Sequence, residues 1–161
     1  MAMQLPATAR RVEHSTAAHL NERIRARADA EVVRLEAASN DDITRRLHEL
    51  DQEWDVERTL QVNASTLVML GLLLGTRVDR RFLALPAAVL TFLGQHALQG
   101  WCPPIPVLRR LGIRTQREIE RERYALKALR GDFDELPAHE AGAARRVRAV
   151  GELIQNQFRI G

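Results

Sequence analysis

Residues 64–75 read ASTLVMLGLLLG, and residues 82–98 read FLALPAAVLTFLGQHAL. Both are apolar around the whole helical circumference, not along one stripe, which is the pattern of a helix enclosed on every side. The connection Gly75-Thr76-Arg77-Val78-Asp79-Arg80-Arg81 is short and polar, with Asp79 placed as an N-cap for the second helix. The pattern predicts a helical hairpin. Pro86 either kinks the second helix or opens its main part, and Gly100 is placed to end it. With their uncharged flanks the two helices reach about 18 residues each, roughly 27 Å at 1.5 Å per residue, against about 20 residues for a full bilayer span. A chain of 161 residues is too small to bury two such helices on all sides by itself. Gly71 and Gly75 form a G-x-x-x-G pair, a helix-packing spacing that permits close approach in lipid.

Charge falls away sharply at the hairpin. The chain is 28% charged, yet 41 of its 45 charged residues lie outside residues 59–108. Residues 1–58 carry 9 Arg against 12 Asp and Glu, a net of −3. Residues 59–108 hold only Arg77, Asp79, Arg80 and Arg81, and residues 109–161 hold 12 Lys and Arg against 8 acids. The stretches 59–76 and 82–108 have no formal charge, so the overall net of +3 describes no part of the chain. Lys and Arg number three in residues 41–58, three in the turn and seven in residues 109–127. For a membrane hairpin that bias predicts both termini in the cytoplasm.

The two arms read as amphipathic helices. Leu20, Ile24, Ala28, Glu31 or Val32, and Leu35 share a face after a nonperiodic, frayed start. Ser39-Asn40-Asp41-Asp42 breaks that helix and caps the next, in which Ile43, Leu47, Leu50 and Trp54 recur at spacings of 4, 3 and 4. Trp54, just before the first uncharged stretch, either packs on a neighbouring helix or marks a membrane interface. Thr115-Gln116-Arg117-Glu118 is a capping box, Ile119, Ala125, Leu126 and Leu129 form the apolar face behind it, and Gly131 ends it. A last stripe, Val147, Val150, Gly151, Ile154 and Phe158, lies beside Arg145, Arg146 and Arg148. It suits either an anionic membrane surface or the N-terminal helices.

Several chemistries are excluded by absence of their residues. One cysteine leaves no intramolecular disulfide framework and no cysteine-based zinc site. Five histidines, at 14, 19, 48, 96 and 139, show no metal spacing, and no phosphate loop or nucleophile elbow occurs. No cofactor is expected. His96 is read as reaching the interface or bonding across the hairpin. Carboxylates are read as lying on solvated helix faces. Aromatics are only 4%, and the basic residues of the C-terminal arm are mixed with Glu118, Glu120, Glu122 and Glu152, so nucleic-acid binding is not expected.

After the second apolar stretch comes Gly100-Trp101-Cys102-Pro103-Pro104-Ile105-Pro106. Glycine stops the helix, three prolines within four residues prevent its resumption, and Trp101 stands at the polar boundary. An uncharged hairpin, then G-W-C-P, then an apolar stretch ending Leu111-Gly112-Ile113 resembles the YgaP-like inner-membrane transmembrane domain. That family comprises small bacterial membrane proteins of unknown function, some fused to a rhodanese. The resemblance covers about a third of the chain and implies a bacterial inner-membrane location. No second cysteine exists for a rhodanese loop, so sulfurtransferase activity does not carry over. For Cys102 itself, structural packing, thiol or persulfide chemistry and lipidation are the three readings.

The sequence therefore predicts an all-α protein: a central apolar helical hairpin flanked by amphipathic N- and C-terminal helices. Its parts are an N-terminal arm (1–58), the hairpin with its Gly-Trp-Cys-Pro segment (59–113) and a C-terminal arm (114–161). The expected role is that of a small non-enzymatic membrane protein that self-associates as a homo-oligomer or recruits a protein partner through its arms. The alternatives are a soluble all-α oligomeric bundle, or an accessory to sulfur or thiol metabolism acting through Cys102.

Overall fold

The computed structural model describes residues 7–134, 136, 145 and 147–152. Among these the chain is all-α, with no strand. In order, the helices are α1 (Arg11–His14), α2 (Ala18–Leu35), α3 (Asn40–Gln52), α4 (Val56–Arg77), α5 (Ala84–Gln99), α6 (Ile105–Arg110) and α7 (Gln116–Arg130). Short 3-10 turns cover Thr8–Arg10 and Arg80–Leu83. Of the frayed start expected over residues 1–13, residues 1–6 lie outside the described residues, and Thr8–Arg10 and Arg11–His14 form helical turns instead, anchored by buried Val12. Of the last apolar stripe, Ile154 and Phe158 lie outside the described residues, while Val147 and Val150 are exposed.

The caps are those the side chains dictate. Ser39 accepts the Asp42 N–H and starts α3, and Asp55 accepts the Arg58 N–H and starts α4. Thr115 and Glu118 complete a reciprocal capping box on α7. Gly100 and Gly131 close α5 and α7 in the left-handed conformation. The prolines after Cys102 do not forbid a helix: Pro104 and Pro106 sit at the start of α6, where missing N–H groups cost nothing.

α4 and α5 form an antiparallel hairpin whose register is set at three levels. At the tip, a Cβ on Gly75 would stand 2.5 Å from Leu83 Cδ2. Further down, a Cβ on Gly71 would stand 2.5 Å from Pro86 Cδ. At the base, His96 meets Glu57. The glycine pair is thus used inside the hairpin, each glycine admitting a larger side chain of the opposite limb.

The remaining helices form a head around that base. α2 and α3 both pack on α7, where Leu35, Ile43, Leu47, Leu50, Ile119 and Leu126 make one core. A second core joins head to hairpin through Val12, Val56, Leu60, Cys102, Ile105 and Leu108. Helices α2 and α3 of the N-terminal arm and α7 of the C-terminal arm are therefore packed together.

The hairpin projects from this body nearly uncovered. Two helices are long and apolar enough to cross a membrane, and only 17% and 11% of their most apolar windows is buried within the chain. Met69, Leu70, Leu73, Leu90, Phe92 and Leu98 are all exposed. The hairpin is not the core of this chain.

Replacing Gly71 or Gly75 by leucine should splay the hairpin and lower unfolding free energy by about 1–3 kcal/mol, the usual cost of overpacking. Gly94→Ala, where a Cβ meets nothing within 4 Å, is the control. It should be neutral or gain up to about 1 kcal/mol of helix propensity. Thermal unfolding followed by circular dichroism distinguishes them.

Candidate functional site: the hairpin base

The predicted signature residues gather at one end of the hairpin. Trp54 precedes α4 and Trp101 follows α5, so the antiparallel register brings both indoles to the base, and both are exposed. The Arg58 guanidinium lies over the Trp54 ring, 4.6 Å from its centroid. Gly100 has φ +74°, and a Cβ there would come within 2.4 Å of the Arg11 carbonyl, so only glycine lets α1 cross this corner. The Ser15 hydroxyl donates to the Gln99 carbonyl and fastens the same crossing. Pro103 is exposed in the next turn. Cys102 points the other way and is buried in the joint core.

Beside Cys102, polar groups cross from one hairpin helix to the other. His96 Nε2 lies 3.0 Å from Glu57 Oε2, and Arg11 donates to Glu57 Oε1 at 2.7 Å. His96 is buried, its Nδ1 has no hydrogen-bond partner among the described residues, and the Cys102 side chain lies beside it. Of the two readings for this histidine, bonding across the hairpin is the observed one.

Charged clusters fix the head beneath. Arg109, fully buried, donates to both Glu118 oxygens at 2.6 and 2.7 Å, to Asn21 Oδ1 at 2.8 Å and to the Ile113 carbonyl at 3.0 Å. It ties α2, α6 and α7 together. Arg114 donates to Glu53, through Nε at 2.7 Å, and to Glu122. Arg46 also reaches Glu122, at 2.9 Å. Glu122 is buried, which corrects the expectation that carboxylates lie only on solvated faces. Two arginines from different segments donate to it, and pairing is what makes its burial tolerable. Neither Arg109 nor Glu122 stands out by period. Only the Thr115–Glu118 capping box marked any member of these clusters.

Burial pushes the Glu118 carboxyl up, but the Arg109 guanidinium and the Thr115 N–H outweigh it and hold its pKa below the ordinary value. Burial likewise works against the Arg114 charge, while Glu53 and Glu122 raise its pKa further above the ordinary arginine value. A cleft of about 340 Å³ between α2 and this network is lined by Arg27, Arg46 and Arg114 and by Glu31, Glu53 and Glu122. Its formal charges balance, three guanidiniums against three carboxylates. Among the described residues, no three His, Cys, Asp or Glu side chains come together as a metal site. The arrangement acts as a rigid joint.

Set against known proteins, the chain matches no family model, no curated protein and no solved structure.

Glu118 has a folded-state pKa below its unfolded one, so its stabilisation is fully present above the ordinary carboxylate pKa near 4.5. Stability should fall as pH drops from that value through the depressed one. Glu118→Gln should flatten this acid limb in denaturant titrations. Arg114→Ala, which leaves buried Glu122 with Arg46 as its remaining partner, should cost about 1–3 kcal/mol at neutral pH.

Proposed function

We propose that this is a small non-enzymatic membrane protein whose hairpin inserts into the bacterial inner membrane and whose packed head stays on the cytoplasmic side with both termini. The observation that carries the reading is the uncovered hairpin: large apolar side chains face outward along both helices while the head is laced with ion pairs. Water penalises that surface, and lipid or another copy of the hairpin removes the penalty. The excess of Lys and Arg around the base over the turn supports the orientation. Trp54 and Trp101, exposed together at the base, suit the depth of a headgroup layer. The Gly-Trp-Cys-Pro segment supports kinship with the YgaP-like family. The role of such a protein is to hold its head at the membrane, where it self-associates or recruits a protein partner.

Membrane fractionation of the full chain tests this. The protein should stay in the pellet after an alkaline wash and need detergent for extraction. Recovery in the soluble fraction, monodisperse without detergent, sinks the membrane reading in favour of a soluble bundle.

A second reading rests on Cys102 beside His96. An imidazole held in place by the Glu57 contact can exchange a proton with the neighbouring thiol, which is the arrangement of nucleophile, proton partner and orienting group in thiol chemistry. In that case His96→Gln should slow alkylation of Cys102 by a maleimide severalfold in the detergent-solubilised chain, with Cys102→Ser as the blank. Equal rates in the wild type and His96→Gln remove this reading and leave Cys102 as packing.

A further inference from the structure

Between Glu57 and Glu118 the chain has a single carboxylate, Asp79, and it lies at the hairpin tip. Asp79 Oδ1 accepts the Arg81 N–H at 2.8 Å and caps the 3-10 turn Arg80–Leu83. Arg77, Arg80 and Arg81 stand around it, all exposed. Among the described residues no carboxylate forms an ion pair with them, whereas Arg46, Arg109, Arg114 and Arg130 in the head are each held by one. The head cannot neutralise the tip from a distance. From Glu57 to Arg77 the helix rises about 30 Å, several times the screening length of roughly 8 Å at physiological salt.

The surroundings of these charges are apolar. Val78, Phe82 and Leu83 are exposed in the same turn. A tip of this composition asks for a ligand with forked anionic oxygens at the edge of an apolar phase. Arginine offers a planar, bidentate donor set that matches a phosphodiester. The reach of about 30 Å from the base equals the thickness of a bilayer's hydrocarbon core. If the tryptophans at the base lie in one headgroup layer, the three guanidiniums arrive in the other.

We infer that the hairpin tip is a binding site for anionic phospholipid headgroups, with Arg77, Arg80 and Arg81 holding the phosphates and Val78 and Phe82 lodged among the acyl chains. This rests on the membrane reading above. It accounts for three arginines in a turn that must cross the bilayer, where basic residues are otherwise disfavoured. Anionic lipid supplies the counter-charge that the described residues do not bring there.

The test uses the full chain purified in neutral detergent and mixed with phosphatidylglycerol, phosphatidylcholine or inorganic phosphate. Native mass spectrometry then reads the lipid retained. Wild type should keep phosphatidylglycerol in preference to phosphatidylcholine. The triple variant R77Q/R80Q/R81Q should lose that preference, by about fivefold per arginine removed. The three side chains are exposed, so the variant should keep its helicity by circular dichroism. R77K/R80K/R81K, which keeps charge without the fork, should fall between. Retention of phosphatidylglycerol by the glutamine variant at the wild-type level overturns this inference and leaves the membrane reading standing. Displacement of the lipid by inorganic phosphate overturns it as well, because the site then reads a free anion. A chain that is monodisperse without detergent overturns both.

Discussion

Two helices that are apolar on every side must be covered, and a chain of this size has too little else to cover them. That constraint organises the molecule. The hairpin excludes formal charge from its length and confines it to the tip and the base. Its glycines let the helices close on each other at Leu83 and Pro86, which hides one narrow seam and leaves the outward faces bare. Among the described residues the other helices meet the hairpin at its base, so the outer faces remain available to lipid or to a second copy.

The base has the opposite physics. Here buried polar groups replace apolar packing as the source of specificity. Arg109 satisfies Glu118, Asn21 and a backbone carbonyl at once, and Arg114 and Arg46 share Glu122. A buried ion pair adds little net stability, because desolvation offsets much of the attraction, but removing one partner is costly. Such pairs tolerate few alternative arrangements. They set the angle at which α6 and α7 receive the hairpin, and the Glu57–His96 contact carries that fit into the hairpin itself.

The parts of this structure legible in the sequence were those written in periodicity and local chemistry. The all-round apolar stretches announced the hairpin, and Ser39, Asp79, Gly100, Gly131 and the Thr115–Glu118 box announced its boundaries and those of the arms. Each is a local rule acting over four residues or fewer. The helical turn at Arg11–His14 was not legible, since a single buried valine carries no period. Nor was the burial of Glu122: its neighbours Glu118, Arg121 and Arg123 look alike in one dimension, and only α3 and the Arg114 segment distinguish the one that faces inward. For the same reason Trp54, in phase with Ile43, Leu47 and Leu50, was open to either packing or exposure. The chain leaves the helix at Gln52, which turns the indole out to lie under Arg58.

By itself the sequence determined helix content, the uncharged hairpin and the distribution of charge, because these depend on neighbours along the chain. Tertiary structure alone decided that α7 packs with α2 and α3 in one head, that Gly71 and Gly75 face the opposite limb of their own hairpin, and that Cys102 turns inward beside His96 while Trp101 turns out. Those outcomes depend on pairings between residues far apart in the chain, such as Gly71 with Pro86 and Asn21 with Arg109. No local preference encodes such pairings, and the need to satisfy every buried charge selects among them.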